Sequence, residues 1–171
     1  MKKIISLLAV LLVCASGVQA ASNKKLEILG TFGDWTAYSA NEKSGKLCYM
    51  ASVPQKSEGK YKRRGDVILI VAHRPKEKSY DVVSLTTGYT YKAGSSATVQ
   101  VDKQKPIELF THEDTAWGND SKTDAKIVRQ MKAGNKAVFK GKSSLGTLTT
   151  DTFSLTGFTK AYRAMSNACG R

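Results

Sequence analysis

From Asp34 to about Leu155 the apolar residues fall in short runs, and each run is closed by Gly, Ser, Asp, Pro or Lys. That rhythm predicts strands joined by turns. Trp35-Thr36-Ala37-Tyr38 and Leu47-Cys48-Tyr49-Met50 flank the polar turn Asn41-Glu42-Lys43-Ser44-Gly45 and read as a hairpin. Asp66 to His73 is an almost unbroken apolar run stopped by Arg74-Pro75, which predicts a central strand buried on both faces. Further strands are expected at 80–85, 97–101, 107–111, 137–142 and 147–153.

Two segments switch to helical spacing. Ile127, Val128 and Met131 share one face of a helix over 121–133, with a capping signal in Ser121-Lys122-Thr123-Asp124 and a stop at Gly134. At the C-terminus, Phe158, Ala161, Tyr162, Met165, Ala168 and Cys169 form one apolar stripe, with Thr156 as its N-cap. The stripe puts Cys169 on the buried side. The expected fold is mainly β: a single antiparallel β-sandwich-like domain with two helices, one inserted between strands and one C-terminal.

The N-terminal pattern differs from everything after it. Lys2 and Lys3 precede an apolar run from Ile4 to Cys14, and Val18-Gln19-Ala20 ends in small residues. This is the layout of a secretory signal peptide cleaved after Ala20. The run is too short to span a bilayer, which takes roughly 20 residues. Residues 1–20 are therefore expected to leave and 21–171 to form one domain, periplasmic, secreted or associated with the outer surface, and not an integral membrane protein. Export removes access to ATP, NAD and a reducing thiol pool, so nucleotide-dependent chemistry is not expected.

Export also governs the cysteines. Cys14 leaves with the signal, and acylation there is disfavoured because Val13 stands where a lipobox needs Gly, Ala or Ser. Cys48 and Cys169 remain as an even pair in an oxidising compartment, and one disulfide is expected. It would pin the C-terminal helix across the strand holding Cys48. The spacing is not that of a CxxC redox motif, so its role is that of a staple.

Charge adds a partner class. The chain has 27 Lys and Arg against 14 Asp and Glu; without Lys2 and Lys3, 25 against 14 leaves a formal charge of +11. Such a surface attracts polyanions. In an exported setting these are anionic polysaccharide, lipopolysaccharide or host-surface glycan, with nucleic acid excluded by compartment. The densest basic run, Lys60-Tyr61-Lys62-Arg63-Arg64, lies in the polar stretch from Pro54 to Gly65 and reads as an exposed loop. Lys60, Lys62, Arg63 and Arg64 are the candidate anion contacts, with Tyr61 packing on a sugar face.

Catalytic patterns are missing from the sequence. His73 and His112 stand alone at strand ends, where a solvated side chain is expected, and no cluster has metal-ligand spacing. No serine lies in a Gly-x-Ser-x-Gly elbow, so a Ser-His-Asp set would have to assemble in space. Gly141-Lys142-Ser143 resembles the end of a phosphate loop, but Lys136 occupies the place of its first glycine. Asp66, Asp120 and Asp151 are expected as backbone caps at element starts. The expectation is a protein without cofactor, metal or catalytic residues; the competing classes are a cell-wall hydrolase, a hydrolase inhibitor and an envelope-maintenance accessory.

A set of motifs runs through the chain in a fixed order: Phe32-Gly33-Asp34-Trp35, Cys48, Arg74-Pro75, Ala116-Trp117-Gly118, Met131-Lys132-Ala133-Gly134, Gly146-Thr147, Asp151 to Phe158, Ala161 and Ala168-Cys169. Over about residues 31 to 169 this resembles the invasion-associated locus B family. The resemblance implies an exported, β-rich bacterial envelope protein associated with host-cell invasion or colonisation, and it brings no catalytic residues. Under it, Trp35, Trp117, Phe153 and Phe158 are expected to fill core or inter-element gaps. Gly33, Gly118 and Gly157 are expected at tight turns or close approaches.

Overall fold

The computed structural model describes residues 26–171. The expected signal segment, with Cys14 and the cleavage point after Ala20, lies outside the described residues. Eleven strands make up the body: β1 (Leu26–Phe32), β2 (Trp35–Glu42), β3 (Gly45–Ser52), β4 (Lys56–Gly59), β5 (Ile68–Arg74), β6 (Ser79–Thr86), β7 (Ala97–Val101), β8 (Ile107–His112), β9 (Thr115–Gly118), β10 (Lys136–Lys142) and β11 (Leu148–Ser154). The helices are α1 (Ser121–Ala133), inserted between β9 and β10, and α2 (Phe158–Ala168) at the C-terminus. The strands form one antiparallel sheet in the order β1-β2-β3-β5-β6-β9-β8-β7-β10-β11-β4. The expected mainly β, sandwich-like domain with two helices is what forms.

Alternation builds its core. On β2 the inward residues are Trp35, Ala37 and Ser39, on β5 Leu69, Val71 and His73, and on β7 Ala97, Val99 and Val101. The β5 run was expected to be buried on both faces. Instead it alternates strictly, and Ile68, Ile70 and Ala72 lie on a half-covered outer face. It is the fourth strand from one edge, and the helices lie elsewhere: α1 packs mainly on β6 and α2 on β1, β2 and β3. Of the four aromatics expected in core or inter-element gaps, Trp117 lies outside the core. Its neighbours Ala116 and Gly118 point inward, so the pleat turns Trp117 outward onto the exposed Phe110, at 5.2 Å between ring centroids.

Three strands escape the periodic reading. β4 is wholly exposed and polar, and β9 is short; β1 is an edge strand with a bulge after Ile28. Each is held by its partner's ladder more than by its own pattern.

The sheet bends back until the start of β2 meets the end of β11. The Trp35 indole N–H donates to the Ser154 carbonyl at 2.9 Å, and its ring meets Phe158 edge-on at 4.9 Å. Two left-handed glycines permit the approach. A Cβ on Gly157 (φ +87°) would lie 1.8 Å from the Phe32 carbonyl oxygen, and one on Gly33 (φ +59°) 2.5 Å from that of Thr156. No side chain fits either place. The N-cap of α2 is therefore Gly157 rather than Thr156, and no side chain caps it. For α1 the cap is Asp120, whose carboxylate accepts from the Thr123 N–H at 2.7 Å.

Cys48 and Cys169 form the expected disulfide, with Cα atoms 6.0 Å apart and a sequence separation of 121. It ties the last turn of α2 to β3. Replacing both cysteines by Ala is expected to lower the unfolding free energy by about 2–5 kcal/mol, read as a lower urea midpoint. An unmoved midpoint would mean that packing alone holds the helix.

Candidate functional site

The basic run follows β4, where the chain leaves the sheet edge at Gly59 and returns at β5. Its members divide by burial. Lys60, Lys62 and Arg63 are exposed, whereas the Arg64 side chain is only 5% exposed. Arg64 points inward: its two terminal nitrogens donate to the two carboxylate oxygens of Asp151, each at 2.7 Å, and Nε donates to the Thr87 carbonyl at 2.7 Å. The rings of Tyr61 and Tyr89 lie against the guanidinium, with centroids at 5.4 and 5.0 Å. Burial works against this charge, and the bonds and charge of Asp151 outweigh it, so the guanidinium is held more firmly protonated than usual.

Arg64 is thus a structural residue and not an anion contact. The reason was invisible in sequence, because its partner lies 87 positions away. Asp151, expected as a cap, is that partner.

The remaining three cations line a concavity of about 490 Å³ together with Tyr61, Leu145 and the hydroxyl residues Ser143, Ser144, Thr147 and Thr149. Among the described residues none of the three makes an ion pair. The opposite wall is the β10–β11 hairpin, which the sequence did not suggest as part of the site. It is fixed by bonds from the Ser143 N–H to the Thr147 carbonyl (2.9 Å) and from the Ser144 N–H to the Thr90 carbonyl (2.8 Å). At its base the Tyr89 and Thr149 hydroxyls lie 2.6 Å apart. The cleft presents positive charge, hydroxyls and a supported aromatic ring: the equipment for holding anionic oxygens and a sugar or head-group face.

A second polar cluster tests the hydrolase alternative. His73, expected to be solvated, is fully buried because it faces inward on β5 beneath α2; His112 is exposed as expected. The His73 Nδ1 lies 3.0 Å from the Asp81 backbone N–H, which donates to it, and 3.1 Å from the Ala72 carbonyl, while Nε2 is 3.1 Å from the Ser166 Oγ. Ser166, His73 and Asp81 do come together, but not as a relay. The Asp81 carboxylate is 4.0 Å from Nε2, on the serine side of the ring, where a triad needs it at Nδ1. It instead accepts from the Tyr162 hydroxyl (2.6 Å) and Arg171 (3.2 Å). Lys132 caps the Tyr162 ring, its Nζ 3.4 Å from the centroid. This network lies under the disulfide and anchors α2. Among the described residues no group of three or more His, Cys, Asp or Glu could hold a metal ion.

A further concavity of about 650 Å³ lies on the outward face of the sheet, walled by Leu47, Tyr49, Ile70, Val82 and Trp117. At its edge Arg74 and Glu42 pair at 2.6 Å. It offers mostly apolar area, and so little to choose a ligand by.

The family model described as "Invasion associated locus B (IalB) protein" matches residues 35–166. Comparison with curated proteins and with solved structures returns no match.

Two predictions separate the roles. Asp151→Asn is expected to destabilise the fold by about 3–5 kcal/mol by stranding a buried charge, whereas Lys62→Ser shifts stability by less than about 0.5 kcal/mol, both read by thermal unfolding. The buried acids and bases also carry opposite pH signatures. Burial pushes His73 below its usual value, so its contribution is complete above about pH 6.5 and is lost as pH falls through that point toward the folded value. Burial raises Asp124 to about 6, so its contribution is complete at low pH and lost as pH rises from about 4 toward 6. Comparing urea midpoints across pH 4–8 for His73→Asn and Asp124→Asn should remove one slope each; unchanged slopes would contradict the assignment.

Proposed function

The chain belongs to the invasion-associated locus B family, and from that premise we propose that it is an exported, non-enzymatic envelope protein that binds an anionic component through the Lys60–Arg63 cleft. The ligand class is anionic polysaccharide, lipopolysaccharide or host-surface glycan. The observation that carries this reading is the division of the basic run: one cation is spent inside on Asp151, and three face a cleft with no ion-pair partner among the described residues. A run that served only solubility would not need its loop tied down by a buried bidentate pair. Tyr61, held against Arg64, gives the cleft a fixed ring face.

A location in the periplasm or at the cell surface is part of this reading; the signal-like N-terminus supports it, and it is in keeping with the family's association with invasion. The alternatives of cell-wall hydrolase, hydrolase inhibitor or maintenance accessory gain little. The one Ser-His-Asp grouping met among the described residues has its carboxylate on the wrong nitrogen and is buried.

Replacing Lys60, Lys62 and Arg63 together by Ser, with Arg64 kept, is expected to lower the salt needed to elute the protein from heparin and from immobilised lipopolysaccharide, at an unchanged melting temperature. Elution at the same salt would refute the cleft. Protease digestion of intact cells decides the compartment: digestion, or release to the medium, makes contact with a host surface physically possible. Protection with recovery from the periplasm confines the ligand to the envelope.

A further inference from the structure

The polyanion reading leaves the wall opposite the cations unexplained. Leu145 is 92% exposed and Leu148 72%, the two most exposed large apolar residues among those described. Scattered leucines need no explanation, but these two belong to one hairpin, and Leu145 lines the same cleft as Lys60, Lys62 and Arg63. Nor is the hairpin free to fold them away. The Gly146 N–H donates to the Ser143 carbonyl at 2.8 Å and the Thr147 N–H to the Ser143 hydroxyl at 3.1 Å, closing the turn below Leu145. At Gly146 (φ +85°) the backbone faces open space. Leu148 sits where β11 begins, with Lys142 opposite it and Gly59 beside the next residue.

Resting on the proposed cleft, we propose that its ligand is met in a lipid surface: Lys60, Lys62 and Arg63 hold the phosphates of an anionic lipid while Leu145 and Leu148 enter the boundary between head groups and acyl chains. A soluble polysaccharide would make no use of the leucines, and a neutral bilayer none of the cations. Stable attachment to a membrane surface takes two signals, and an apolar tip beside a basic cluster supplies both. Each basic residue close to an anionic surface adds roughly fivefold to binding. Tyr61 has the amphipathic ring suited to the head-group level. Among the described residues no helix is long and apolar enough to cross a membrane, so attachment through this hairpin would be peripheral.

The test uses the exported form of the protein, its N-terminus fixed by mass spectrometry. Sedimentation with vesicles of phosphatidylcholine and phosphatidylglycerol, and with phosphatidylcholine alone, is run beside heparin chromatography. Leu145→Ser with Leu148→Ser is expected to weaken binding to the anionic vesicles about tenfold, with a far smaller shift in heparin elution, which rests on the cations, and an unmoved melting temperature. The triple Lys60, Lys62 and Arg63 to Ser variant is expected to lose both. If the leucine variant binds anionic vesicles like the wild type while the triple variant loses heparin, the lipid inference falls and the cleft stands as a site for a soluble polyanion. Equal wild-type binding to neutral vesicles would also overturn it. If the triple variant keeps heparin binding, the cleft itself is wrong, and this inference with it.

Discussion

The bidentate bond between Arg64 and Asp151 governs the densest basic run among the described residues. Two opposite charges, 5% and 2% exposed, are stable there because their polar atoms are matched: two bonds to the carboxylate and a third from Nε to a carbonyl. Breaking one side would leave an uncompensated charge in a low-dielectric site. The pair therefore fixes a loop that its own composition would leave mobile. It ties residue 64 to β11 and to Thr87, presses Tyr61 and Tyr89 against the guanidinium, and leaves Lys60, Lys62 and Arg63 outside on a defined wall.

The closure of the sheet sets the other half of that geometry. Gly33 and Gly157 let the β1–β2 turn and the β11–α2 turn touch through backbone, and Trp35 bonds across the seam. The disulfide then holds α2 down over β1, β2 and β3, above the network of His73, Ser166, Asp81 and Tyr162. Family motif residues recur along this seam, which explains a shared signature through folding, without a ligand. The cleft lies away from it, in residues the motifs mostly do not include.

The polar groups of the molecule sort by the same logic. Where His, Ser and Asp meet, they are buried and satisfied by one another, so their bonds stabilise a helix. Where cations are exposed and without ion-pair partners, beside hydroxyls and an aromatic ring, a ligand can supply what is missing. The exposed leucines on the facing hairpin are what turn the proposed ligand toward a lipid surface.

Local pattern was enough to determine the strand-rich class, both helices and the Trp35–Tyr38 and Leu47–Met50 hairpin, because periodicity and turn residues are properties of neighbouring residues; the cysteine pair followed from there being two cysteines beyond the N-terminal segment. It marked Lys60 to Arg64 as a basic run on the same grounds. Which of those cations is spent inside was decided by Asp151, far along the chain, and the orientation of Trp117 by the pleat of β9. The exposed β4 had no apolar pattern to betray it and exists because β11 offers a ladder. Burial of His73, and the arrival of the Leu145 hairpin opposite the cations, likewise depend on which strands the folded sheet makes neighbours; long-range pairing carries no local signal, so only the tertiary structure could settle them.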